Sequence, residues 1–136
     1  MICLSDKNVV LIERKHPAFR EKIARDLFDR NRDNLDGEVD FDGLLARSIF
    51  YNVHAKGGAY VGSIFCFDEG DKTFVGGYAN RKYHAHCVAA LRLVAGIFDT
   101  LYAKTRHVNA VICLRRAGFV WADRERGLLV YMRKTS

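Results

Sequence analysis

The most constraining stretch of the chain runs from Thr73 to Phe119. It opens on a β-branched and aromatic run, Thr73-Phe74-Val75-Gly76-Gly77-Tyr78, and passes into a cationic segment, Asn80-Arg81-Lys82-Tyr83-His84-Ala85-His86. A long helix is predicted next, from about His84 to Phe98, with Val88, Leu91, Ala95 and Phe98 on one face. Then come a short strand, Thr100-Leu101-Tyr102-Ala103, and a second helix, about His107 to Ala117, closing on Gly118-Phe119. A strand, a helix and a strand that pair side by side need a crossover, and the crossover makes those strands parallel.

The residues before this stretch supply its antiparallel partners. Val9-Val10-Leu11-Ile12 is a strand-like run. His16-Pro17 is read as a helix start, with Phe19, Ile23, Leu27 and Phe28 as its apolar stripe. Asn31 to Asp42 is a polar, Asp-rich loop leading into Leu44 and Leu45, where a short helix can begin. It is no EF-hand: aligned on Gly37, the first ligand position holds Arg32 and the last holds Gly43. Ser48 to His54 alternates, with Ile49, Tyr51 and Val53 on one face and Phe50, Asn52 and His54 on the other. Lys56-Gly57-Gly58 turns it back into Ala59 to Phe67, and Asp68 to Asp71 turns again into Thr73 to Tyr78. A last hairpin joins Phe119 to Ala122 with Leu128 to Arg133 across Asp123 to Gly127. The fold class is α/β (α+β): one domain over residues 1–136, with a mixed, mainly antiparallel sheet of six or seven strands and about four helices. Composition agrees, since 49% hydrophobic and 28% charged residues are ordinary for a globular domain of 136 residues.

A net charge of +6 favours anionic partners. The cysteines at 3, 66, 87 and 113 form no C-x-x-C pair and no metal-ligand spacing, so free thiols in a reducing cytoplasm are expected and no metal. Asp6 and Lys7 interrupt the N-terminal residues before a leader could form, and no apolar run approaches the ~20 residues of a membrane span.

The order strand, basic turn, helix, strand, helix, Gly-Phe resembles the core of the GNAT (Gcn5-related) N-acetyltransferases. That family's pyrophosphate pattern has a basic or Gln residue, two variable residues, Gly, one variable residue, then Gly or Ala. Anchored on Leu91, it falls on Lys82-Tyr83-His84-Ala85-His86-Cys87, with Lys82 in place and Ala85 and Cys87 at the small positions. The resemblance implies acetyl-CoA as the cofactor, lying between two splayed parallel strands. Backbone at Val75, Gly76 and Gly77 would hold the pantetheine arm. The turn carrying Arg81, Lys82, His84, Ala85 and Cys87 would hold the pyrophosphate. In the family an Asn starts the second helix and a Tyr four residues before the Gly serves as general acid. His107 and Leu114 stand at those places. The short chain, the Arg81-Lys82-Tyr83 lead into the helix and the final hairpin are also similar to small GNAT-like proteins of tailed bacteriophages.

The resemblance implies acetyl transfer to an amine, of a small molecule or a protein, by direct attack. The alternative is a catalytically inactive GNAT-fold binding or structural protein, phage-encoded, acting in the host cytoplasm or virion. No side chain stands out as the acid or base, so the catalytic residues stay open among His54, Asp68, Glu69 and Tyr78. Trp121 and Tyr131 read as core or rim aromatics, and the strand aromatics lack the Gly and basic pattern of an RNA-binding sheet. Neither nucleic acid nor membrane is an expected partner, and the oligomeric state is open, a dimer included. Three geometric expectations follow. The two strands at Thr73 to Tyr78 and Thr100 to Ala103 should be parallel neighbours that splay at their C-terminal ends, with the His84 helix starting at the opening. The two helices should pack on opposite faces of the sheet. Leu91, Ala95, Phe98, Ala110, Leu114 and Phe119 should be buried.

Overall fold

Alternating apolar strands joined by tight turns build the first half of the molecule. The computed structural model describes residues 3–35 and 40–135. In chain order these form β1 (Cys3–Ser5), β2 (Val9–Glu13), α1 (Glu21–Arg30), α2 (Phe41–Arg47), β3 (Ile49–Ala55), β4 (Tyr60–Glu69) and β5 (Lys72–Ala79). After them come α3 (His84–Ala95), β6 (Thr100–Thr105), α4 (Val108–Arg116), β7 (Val120–Glu125) and β8 (Leu128–Lys134). All the strands lie in one 8-stranded sheet, in the order β1-β2-β3-β4-β5-β6-β8-β7. That exceeds the expected six or seven, because Cys3–Ser5 adds a short antiparallel edge strand on β2. Of the pairings, β5 with β6 is parallel and the others are antiparallel, as the crossover requires.

The sheet separates two cores, and strand alternation assigns residues to them. On one face Tyr51, Val53, Ile64, Val75 and Leu101 pack with Val88 and Val94 of α3 and Leu114 of α4. On the other, Phe50, Phe65 and Tyr78 pack with Ala24, Leu27 and Phe28 of α1 and with Phe41, Leu44 and Leu45 of α2. Helices α3 and α4 therefore share a face, which corrects the expectation that they flank the sheet. The opposite face is already covered by α1 and α2. The Arg92 guanidinium of α3 also donates to the Arg116 carbonyl at the end of α4, at 2.7 Å.

This placement changes which residues are buried. Ala95, Leu114 and Phe119 are buried as expected, but Leu91, Phe98 and Ala110 are only half-buried. Helix α3 ends at Ala95, so Phe98 lies beyond it, and its buried residues Val88, Ala89, Ala90, Val94 and Ala95 form a broader surface than one stripe. Helix α1 starts later than Pro17 suggests. The Phe19 N–H donates to the His16 carbonyl at 3.0 Å, and the Ala18 N–H to His16 Nδ1 at 3.0 Å. Pro17 thus sits at the second position of a tight turn, where its fixed φ serves equally well. The predicted helix through Leu44 and Leu45 forms as α2, capped by Asp40, whose side chain accepts from the Gly43 N–H. Asp36 to Val39 of the polar loop lie outside the described residues.

Candidate functional site at the parting of the parallel strands

Helix α3 links β5 to β6, yet the register of these two strands contains a single pair, Phe74 with Tyr102. Beyond it β5 continues to Ala79 and β6 to Thr105. Each strand is held along its length from the other side, β5 by β4 and β6 by β8. The sheet is thus two half-sheets joined at one point and open at the C-terminal ends of β5 and β6. Strand edges that face such an opening carry backbone N–H and C=O groups with no ladder partner. A crevice at the carboxyl ends of parallel strands is where open sheets with crossover helices bind ligands.

Val75, Gly76 and Gly77 line the β5 side of this opening. Toward β4 they pair with Cys66, Phe65 and Ile64, and alternate residues turn their N–H and C=O away from it. A Cβ on Gly77 would come to 2.9 Å from the Ser63 carbonyl, so this glycine lets β4 and β5 approach. One on Gly76 would meet the ring of Phe65, which lies over it.

The helix starts converge on the open end. Three cationic-turn residues, Arg81–Tyr83, make a 3-10 turn whose leading Asn80 side chain accepts from the Lys82 N–H at 3.3 Å. Helix α3 follows with no side-chain cap and no acidic residue in its first turn. Helix α4 also lacks both, and its N-cap is His107, whose backbone N–H donates to Thr105 Oγ1 at 3.1 Å. Two positive helix ends, with Arg81 and Lys82 exposed beside one of them, make this end of the cleft attractive to anions. His84 is half-buried and its Nε2 is buried without a hydrogen-bond partner. No residue from 81 to 87 has a positive φ, so Ala85 and Cys87 stand in the places of family glycines without strain. Ala85 is exposed and Cys87 half-buried.

Of the acid–base candidates, Tyr78 lies on the β5 stretch that borders the parting, while Glu69 pairs with Lys72, before Phe74, at the other end of β5. His54 is buried on β3, its Nδ1 3.3 Å from the Gly58 carbonyl and its ring against Tyr60. Tyr78 donates to the Ala24 carbonyl at 2.7 Å, and burial pushes its phenol far above the ordinary range. Asp68 accepts from the Thr73 hydroxyl at 2.7 Å. Glu69, at the end of β4, contacts the Lys104 ammonium of β6. Burial pushes the thiols of Cys66 and Cys87 up to about 12 and that of Cys113 up to about 11, so none is a thiolate near neutral pH. Leu114 lies in the core, 5% exposed, and offers no proton. Among the described residues no group of His, Cys, Asp or Glu gathers with metal-binding geometry.

Sequence reasoning missed Lys104 and the pocket it enters. An open cavity of about 480 Å³ is lined by Glu69, Lys104, Glu125, Arg126 and Leu128. Lys104 Nζ also lies 3.9 Å from Glu125 and 4.6 Å from the centroid of the Phe74 ring. The pairing in reverse, Lys72 Nζ at 5.1 Å from the Tyr102 centroid, completes a crossed clamp over the single β5–β6 pair. Arg126 reaches the pocket on a two-residue turn with Gly127, both at positive φ of 51° and 81°. The charged ring spacing in sequence carries no period, so only the sheet order reveals it.

No protein-family model matches the sequence, and no curated protein does. Solved structures do match it. An acetyltransferase of the GNAT family from Bacillus anthracis superposes with a TM-score of 0.71 at 12% identity, covering 98% of each chain. The fold is that of the GNAT acetyltransferases. The Campylobacter jejuni N-acetyltransferase PseH, solved in complex with acetyl coenzyme A, matches with a TM-score of 0.65 at 14% identity over 94% of this chain and 99% of its own. The microcin C7 self-immunity acetyltransferase MccE, in complex with acetyl-CoA and AMP, gives 0.64 at 10% identity over 96% and 94%. The GNAT fold thus extends over nearly the whole chain. No helix among the described residues is long and apolar enough to cross a membrane.

Proposed function

We propose that the chain is an N-acetyltransferase that moves an acetyl group from acetyl-CoA to an amine by direct attack. The observation that carries this reading is the parting of β5 from β6 beyond Phe74 and Tyr102. Backbone groups of Val75, Gly76 and Gly77 that point away from β4 would take the amides of a pantetheine arm, as an added strand does. The free N–H groups at the start of α3, from His84 through Ala85 toward Cys87, would hold the pyrophosphate, with Arg81 and Lys82 adding charge. The buried, unpartnered Nε2 of His84 has hydrogen-bonding capacity to give a ligand there, and His107 stands at the start of the second helix. The solved PseH and MccE complexes hold acetyl-CoA on this fold, which supports the same cofactor here.

Acetyl-CoA supplies the activated acyl thioester. The chain's part is to orient it and to take the proton that the acceptor's ammonium loses before it attacks; Glu69, which lines the pocket beside Lys104, would take it. Leu114 offers no proton, so protonation of the leaving sulfur falls to solvent.

A second reading is a GNAT-fold protein that binds without catalysing. It is favoured by Leu114 in the core where the family has a proton donor, and by the Cβ atoms of Ala85 and Cys87 at the family's glycine places. Isothermal titration of acetyl-CoA and free CoA separates the two. Saturable binding supports the enzyme. No heat and no thermal shift at millimolar cofactor leaves the non-catalytic protein.

A further inference from the structure

We propose that the chain acetylates itself on Lys104, an inference that rests on the acetyl-CoA reading above. Lys104 lies on β6 two positions beyond Tyr102, the last residue that pairs with β5, so its strand position is at the mouth of the parting. Its side chain is 18% exposed and its Nζ is held on the sheet face opposite α3 and α4, over Phe74. The helix starts that attract a cofactor's phosphates lie at the end of the cleft, leaving this face for the acceptor. The amine that already stands there is the protein's own.

Its surroundings suit the reaction. An ammonium has no lone pair and must lose a proton before it attacks. The Glu69 carboxylate touches Nζ and Glu125 lies 3.9 Å away, so a proton acceptor is in contact before any substrate arrives. The lone pair of Nζ forms the C–N bond to the thioester carbonyl carbon as the C–S bond breaks. The electron pair of that bond leaves on sulfur; the nitrogen gives up two protons, the first to Glu69 before the attack and the second to solvent as the amide forms, and solvent protonates the thiolate. The products are N-acetyl-Lys104 and CoA. Acetyl-Lys104 is neutral and bulkier, so it gives up both carboxylates and its place over Phe74. The pocket then presents Glu69 and Glu125 unpaired to whatever cation follows.

The purified chain is incubated with acetyl-CoA and followed by intact-mass and peptide mass spectrometry. One acetyl group should appear, on Lys104, at a rate independent of protein concentration. The exposed Lys72 and Lys82 should stay unmodified. Glu69→Gln should slow the reaction by roughly 10²–10⁴-fold while CoA affinity, read by calorimetry, is unchanged. A footprint needs no turnover: excess free CoA should reduce labelling of Lys104 by acetic anhydride and leave Lys72 labelled as before. Lys104→Arg keeps the charge, so the folded variant should take up no acetyl group. Acetyl-CoA that binds while Lys104 stays unmodified overturns the proposal, whatever the footprint shows. Labelling of the exposed lysines at the same rate as Lys104 overturns it too. If acetyl-CoA does not bind, the cofactor reading fails first and this inference falls with it.

Discussion

Tyr60 and Ser63 share a hydrogen bond of 2.7 Å, Ser63 donates to Asn52 at 2.9 Å, and Asn52 donates to the Arg20 carbonyl at 3.0 Å. This buried chain ties β3 and β4 to the start of α1, and each link satisfies a group that would be costly alone. Burial pushes the Tyr60 phenol up from about 10 to about 12. The folded protein therefore holds that proton more tightly than the unfolded chain does. The resulting stability is fully present below about pH 10 and is lost as pH rises toward 12. Denaturant melts from pH 8 upward should show a fall above about pH 10 that is shallower in Tyr60→Phe. At Gly77 the obstacle to a side chain is a backbone oxygen, which cannot swing away. Gly77→Ala should cost about 1–3 kcal/mol by chemical denaturation, through strain between β4 and β5. The glycine pair was visible in the sequence, but the carbonyl that demands it belongs to β4 and was not.

On the acetyl-CoA reading proposed above, the start of α3 is the element on which cofactor binding would depend. Arg81 and Lys82 are exposed, so replacing both with Ala should leave thermal stability nearly unchanged. The same double substitution should weaken CoA binding by tens- to hundreds-fold, since each charge-assisted bond contributes ~1.5–3 kcal/mol before screening. Raised salt should weaken wild-type binding in the same direction. Helix burial gives a second comparison. Leu101 on β6 is 0% exposed, so Leu101→Ala should cost ~2–5 kcal/mol. Leu91 is half-buried on α3, and Leu91→Ala should cost clearly less in the same melts. Periodicity put Leu91 on the inner face of α3, and that holds. How deeply it is buried depends on α4 lying alongside, which no spacing within α3 encodes.

The molecule as a whole is two half-sheets clamped at Phe74 and Tyr102, whose ring centroids are 5.7 Å apart. Phe74 is 3% exposed, and Phe74→Ala should cost ~3–5 kcal/mol and loosen the clamp. Hydrogen exchange should find the β5 amides beyond Phe74 that point away from β4 poorly protected, and CoA should slow them. What could be read from the chain alone was local: strand alternation, the basic turn, the helix starts, Gly118 at the end of α4 with its φ of 94°, and the crossover that makes β5 and β6 parallel. Those features depend on neighbours a few residues away, or on a connection too short to permit another arrangement. Four things depended on contacts between distant segments: the edge strand at Cys3–Ser5, the shared face of α3 and α4, the single pair after which the strands part, and the meeting of Glu69 with Lys104. They arise from the competition of whole elements for the two faces and edges of one sheet, and a side chain's period along its own element carries no information about which competitor wins.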